Sequence, residues 1–274
     1  MKKLLILLLV TLVSISVSFA QRKSDDKSDV IEQRNAILAE MRENAKSSGK
    51  GAGLAALTVA DVGEPDSFGK NVKFLGTANT GFVVISASCD PIDIGPLGPD
   101  DRCILVTDPT VAVPSTTFND LGRITIPGRS ADNVIYAIAN HTYFYFMSNS
   151  TALPSLGRMT YSPSITIESD ALLDPTLINP DTGLPFNGSY TTAGFGTHSV
   201  GKTLAVGATD NLTNSYTRAN TRGFARSLWA DLGLTNHAIN QLYKKPMTIR
   251  LNVRISSRLV SDATILFSIR FLGN

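Results

Sequence analysis

The chain of 274 residues is poor in the side chains that build most active sites. It has two cysteines, Cys89 and Cys103, and three histidines, His141, His198 and His237. No H-x-x-x-H or H-E-x-x-H spacing occurs, which removes the common zinc signatures. Thirteen residues separate the cysteines, a spacing that matches neither a redox nor a metal motif. No G-x-S-x-G elbow accompanies any histidine, so a serine hydrolase has no support. Charged residues make up 18% of the chain, below the roughly 25% usual in globular proteins. Beyond the first twenty residues no run is long and apolar enough to span a bilayer as a helix.

What is present begins with Lys2 and Lys3, an apolar run from Leu4 to Val13, and Ser18-Phe19-Ala20. This pattern predicts a secretory signal peptide over 1–20, of bacterial type, with cleavage between Ala20 and Gln21. The expected location is therefore secreted, extracellular or periplasmic. Without Lys2 and Lys3 the chain holds 23 basic and 23 acidic residues, and whole-protein attraction to nucleic acid or anionic membrane loses its basis. In an exported chain, Cys89 and Cys103 are expected to form a disulfide. With strand-like runs outside each, it would close the base of a long hairpin loop and contribute about 3 kcal/mol.

Residues 21–53 read as an N-terminal arm. Asp29 and Glu32 resemble a capping box, and Val30, Ile31, Ile37, Leu38 and Met41 recur at helical spacing, predicting a helix from about Val30 to Ala45. Ser47 to Gly53 follows as a flexible linker. From 54 to 274, short strand-like runs alternate with Gly, Pro and Asp turns. Strands are expected near 71–75, 81–88, 102–107, 122–126, 133–139, 142–147, 158–168, 189–192 and 202–206. The strongest pattern is the last. Met247, Ile249, Leu251, Val253 and Ile255 alternate with polar residues, and the rhythm resumes at Ala263, Ile265, Phe267, Ile269 and Phe271. This reads as a C-terminal hairpin turning near Val260-Ser261-Asp262. Before it stands a short helical pair: Phe224, Leu228, Trp229 and Leu232 share a face, Gly233 ends the first helix, and Thr235 caps a second that Pro246 stops. The whole predicts a mainly β fold, an antiparallel sandwich of jelly-roll or Ig-like type, with a transmembrane barrel as the minor alternative.

Chemistry-bearing motifs are weak. Asp90, Asp93, Asp100 and Asp101 lie between the cysteines, where calcium ligation competes with ordinary turn chemistry and lacks the D-x-D-x-D-G spacing. Gly196 to Thr203 spells G-x-x-x-x-G-K-T, but Leu204-Ala205-Val206 follows as strand where a P-loop needs a helix. Glu168 with Asp170 could serve a glycosidase only with suitable geometry. Four N-x-S/T sequons, at Asn140, Asn149, Asn187 and Asn211, read as chance in a bacterial chain. No cofactor and no metal is expected.

Three phrases carry a resemblance: Glu64-Pro65-Asp66-Ser67-Phe68-Gly69, Asp174-Pro175-Thr176-Leu177-Ile178-Asn179-Pro180, and Lys244 to Asn252. They resemble segments of an uncharacterised family of secreted bacterial β-proteins. The resemblance spans most of the mature chain, implies export and a shared fold, and brings no assigned activity.

Charge is distributed unevenly. Residues 51–217 hold 7 basic and 15 acidic side chains, while 218–274 hold 9 and 2. Arg250, Arg254, Arg258 and Arg270 are all even-numbered, so as a hairpin they would form one basic stripe on the face opposite the apolar set. The reading that follows is an exported, non-enzymatic cell-surface or matrix protein acting through protein contacts or self-assembly. Its expected partners are copies of itself or an anionic surface polymer. The alternative is a carbohydrate-binding or carbohydrate-cleaving sandwich using aromatics such as Tyr143, Tyr145 or Trp229.

Overall fold

The computed structural model describes residues 73–128, 134–220 and 225–273. The expected signal peptide, the expected N-terminal arm with its helix, and the expected boundary at residue 54 lie outside the described residues.

In chain order the strands are β1 (Lys73–Asn79), β2 (Val83–Ser86), β3 (Arg102–Leu105), β4 (Val113–Ile126), β5 (Ile135–Ser148), β6 (Ser155–Glu168), β7 (Ile178–Asn179), β8 (Leu184–Pro185), β9 (Ser189–Thr192), β10 (His198–Leu204), β11 (Thr209–Asn220), β12 (Met247–Arg258) and β13 (Val260–Gly273). The helices are α1 (Pro91–Ile94), α2 (Arg226–Asp231) and α3 (Asn236–Lys244). Among the described residues the fold is mainly β. One sheet runs β11-β5-β13-β2-β3, with β1 also on β13; the other runs β10-β6-β12-β4, with β9 on β6. Pairing is antiparallel except for β2 beside β3.

The terminal strands form where alternation placed them, but they are not a hairpin. β12 lies in the five-stranded sheet between β6 and β4, and β13 lies in the six-stranded sheet beside β5. A single residue, Leu259, joins them with a left-handed φ of 57°. Its N–H donates to the Pro109 carbonyl at 2.6 Å and its carbonyl accepts from Ser148 N–H at 3.0 Å. The odd-with-odd parity has a simple cause: the two apolar faces belong to different sheets. Ile249, Leu251, Val253 and Ile255 from β12 join Ala263, Ile265, Phe267, Ile269 and Phe271 from β13 in one buried cluster. The same change of sheet recurs from β4 to β5, β5 to β6 and β10 to β11.

Three other expectations change. The runs near 133–139 and 142–147 are one strand, β5, because Asn140 and His141 continue it. β11 was not foreseen, since Thr209 to Asn220 has no apolar alternation. The cysteines do form a disulfide, with Cα atoms 5.9 Å apart. It does not close a hairpin, however: β2 and β3 run parallel, and α1 lies on the crossover between them.

The helical pair forms as α2 and α3, while Phe224, read as part of the first helix's face, lies outside the described residues. Thr235 caps α3, its hydroxyl accepting from Ala238 N–H at 3.2 Å. Gly233 takes a φ of 85° at the turn, where a side chain would be strained. Trp229 is fully buried against Tyr190 and Phe186, with centroids at 5.3 and 6.3 Å. No helix among the described residues is long and apolar enough to cross a membrane.

At one end of the sheets Asn149 ties two loops together. Its buried amide donates to the carbonyls of Leu153, Leu204 and Ala205 at 2.9, 3.0 and 3.2 Å. Asn149→Ala removes the donor and leaves carbonyls unsatisfied, so denaturant unfolding should show a loss of about 2 kcal/mol. Cys103→Ala should lower stability by about 3 kcal/mol while leaving the circular dichroism spectrum unchanged.

Candidate functional site

On β6, even-numbered residues point away from the buried cluster: Arg158, Thr160, Ser162, Ser164, Thr166 and Glu168. β12 sits alongside with Thr248, Arg250, Arg254, Ser256 and Arg258 on the same face. From β4 come Ser115, Thr117, Arg123 and Thr125, from β9 Thr191, from β10 Ser199, and Thr197 stands just before β10. The outer face of this sheet is thus a field of hydroxyls crossed by arginines. Neighbouring hydroxyls pair across strands: Thr125 with Thr248 at 3.0 Å, Thr166 with Thr191 at 2.8 Å, and Ser162 with Thr197 at 2.7 Å. Such pairs hold the surface groups in fixed rotamers.

Two pairs of arginines stand directly opposite each other across strands. Arg250 faces Arg123, and Arg258 faces Arg158. Like charges in that position destabilise a sheet. The first pair is relieved internally. Asp120, in a bulge of β4 with a φ of 60°, bonds the Arg123 guanidinium and approaches that of Arg250 at 3.5 Å. Glu168 completes the shell with a 3.0 Å contact to Arg250. The Asp120 backbone N–H donates to Asn252 Oδ1 at 3.0 Å, and Asn252 Nδ2 donates to Thr166 at 3.0 Å, which fixes the bulge.

The second pair has no such relief. Arg158 donates from Nε to the hydroxyls of Thr160 and Ser199, at 3.0 and 3.1 Å. Arg254 donates to the Ser115 hydroxyl. Among the described residues no carboxylate pairs with Arg158, Arg254 or Arg258. The face therefore contains one arginine pair with its anion built in and one without. A carboxylate, sulfate or phosphate beside Thr160, Ser199 and Ser256 would occupy the place that Asp120 fills for the first pair.

The expected stripe is corrected in one member. Arg270 lies on β13, in the six-stranded sheet, opposite Ile138 and Thr77. It cannot join the other three because the chain changes sheet at Leu259. Arg250, Arg254 and Arg258 do share a face, and Arg123 and Arg158 join them from neighbouring strands. The alternation of Arg250 and Arg254 with apolar residues was visible in the sequence; the strand order that brings the five arginines together was not.

Other candidates are accounted for structurally. Asp90 caps α1, accepting from Ile92 N–H at 2.9 Å, and Asp101 accepts from Phe82 and Gly98 N–H groups, both at 2.7 Å. Gly196 to Thr203 runs into β10, so no helix end faces a phosphate there. Glu168 is held by Arg250, while Asp170 lies in a short 3-10 turn. Tyr143, Tyr145 and Trp229 are buried at 1%, 6% and 0% exposure and offer no platform to a sugar. Burial, together with the hydroxyl's bond to Asp210, pushes the Tyr145 phenol well above its ordinary range. His141 and His198, far apart in sequence, both stack on Tyr216 with centroids at 4.7 Å, while Tyr161 donates to the Tyr216 hydroxyl at 2.8 Å.

No protein-family model matches the chain, and no curated protein matches it. Among solved structures, a viral particle of infectious bursal disease virus aligns with 75% of this chain and 40% of its own, at 11% identity and a TM-score of 0.14. A subviral particle of the same virus aligns with 75% and 60%, at 11% identity and a TM-score of 0.12. The chain spans less than two thirds of either, and likenesses this faint carry no argument.

The two arginine pairs make opposite predictions. Asp120→Asn keeps a residue that tolerates the left-handed backbone but removes the anion, so unfolding free energy should fall by about 1 kcal/mol. Arg258→Glu supplies the missing carboxylate to Arg158 and should raise it by about 0.5 kcal/mol. Urea melts of both variants beside the wild type check the two signs.

Proposed function

We propose that the protein is an exported, non-enzymatic protein of the cell surface or matrix that acts by contact, and that the outer face of the five-stranded sheet is where it holds an anionic polymer. The observation that carries this reading is the pair Arg158 and Arg258, opposed across two central strands with no carboxylate between them. The neighbouring pair, with Asp120 in place, shows what such an arrangement needs. Arg254 lies four residues from Arg258 on β12, about 13 Å along the strand, so an extended polymer can meet both. The fixed hydroxyls around them suit the oxygens of a sugar or phosphate chain. The disulfide fits an oxidising compartment.

The finer architecture we propose is a two-sheet antiparallel sandwich of jelly-roll or Ig-like type. It is supported by the single buried cluster to which both sheets contribute. In such an arrangement the outer faces stay free for contact, and the polar residues of β6 and β12 have a use.

Dextran sulfate is a suitable probe. The wild-type protein should bind it at low salt and weaken steadily as salt rises, because exposed charges are screened. Arg258→Glu and Arg254→Glu should each lower affinity about tenfold, with unfolding free energy within about 0.5 kcal/mol of wild type or above it. Binding by either variant equal to wild type at every salt concentration would overturn the reading.

A further inference from the structure

β11 is the outermost strand of the six-stranded sheet. Along all twelve residues it pairs with β5 and with no other strand among the described residues. Exposed strand edges are templates for pairing, and proteins guard them with bulges, prolines, charges or short length. The other edges here are guarded. β4 carries Pro114 and two register shifts, one of them the Asp120 bulge. Beside it Gly81 donates to the Leu121 carbonyl at 2.6 Å, and a Cβ at Gly122 would meet the Asn79 carbonyl at 2.2 Å, so that border is sealed by close packing. β3 and β9 are four residues each, and β10 is seven with Gly201 and Lys202 within it. β11 is twelve residues long with no proline, no glycine and no register shift, and its middle, from Asn211 to Thr217, is uncharged.

We infer that a second copy of this chain occupies this edge, its β11 antiparallel to the first, joining two six-stranded sheets into one. Three observations select the partner and the register. The Ser215 N–H accepts no ladder role toward β5; it donates to its neighbour's side chain, Asn214 Oδ1, at 2.8 Å. Odd-numbered residues therefore direct their backbone groups to the open edge, and an antiparallel pair must place odd residues opposite odd ones. Leu212 is 41% exposed in the middle of the strand, an apolar side chain awaiting cover. The strand is also self-complementary when Asn214 faces Asn214 of the second copy. Leu212 then stands opposite Tyr216, and Thr213 opposite Ser215, each twice by symmetry. Shifting the register by two residues parts Leu212 from Tyr216.

Asn214 on the two-fold axis supplies the test. It is exposed, and its Nδ2 makes one long contact of 3.3 Å to the Tyr143 hydroxyl, so substitution leaves the core intact. Sedimentation of the purified wild-type protein over a range of concentrations should show a monomer–dimer equilibrium. Asn214→Lys and Asn214→Asp each place like charges face to face and should weaken the dimer about tenfold or more. An equal mixture of the two should restore it as a heterodimer. Asn214→Cys, which adds a free thiol to a chain whose two cysteines are paired, should cross-link to a dimer on mild oxidation, and Thr213→Cys alone should not. Thermal unfolding of each variant confirms that it is folded. A wild-type monomer at every concentration, or a dimer indifferent to both charged variants, overturns the inference. Equal cross-linking at 213 and 214 overturns the register.

Discussion

Everything in this structure depends on the two last strands burying their apolar sides against each other's sheets. β12 is flanked by β6 and β4, β13 by β5 on one side and by β2 and β1 on the other, so each is central to its sheet. Ten alternating side chains from the two, Met247 among them, lie in the common core. The condition for this is the one-residue step at Leu259, which takes a backbone conformation that non-glycine residues seldom adopt and is held at both its N–H and its carbonyl.

That step also decides where the charges go. Alternation gave each terminal strand its apolar and polar sides, and those sides were legible residue by residue. What alternation cannot say is which strand lies next to which. Read as a hairpin, β12 and β13 would share an outer face and Arg270 would belong with Arg250; as strands of different sheets, they put the two arginines on separate sheets. Arg123 and Arg158 fell within the runs expected as strands near 122–126 and 158–168, yet only the order β6-β12-β4 places them opposite Arg250 and Arg258. The site was legible as a set of sides and not as a surface.

β11 escaped sequence reading for a related reason. A strand is recognised by what it buries, and an edge strand that buries little shows a weak pattern. Thr209 to Asn220 is polar nearly throughout and takes its conformation from the ladder with β5. The disulfide was legible because it needs only compartment and spacing. Its surroundings were not, because a parallel crossover through a four-residue helix resembles a long hairpin loop when only its ends are read.

The alternation of sheets along the chain has a consequence for time. Met247 pairs with Ile126, Val260 with Met147, and Lys73 with Gly273, so the ladders at the centre join residues separated by more than a hundred positions. Such contacts cannot form until late in the chain's appearance, and topologies dominated by them fold slowly. The first three quarters of the protein, delivered alone, would lack the middle of both sheets. Each sheet receives its central strand only at the end, β12 for the one and β13 for the other, so neither can be completed before the last part of the chain is present.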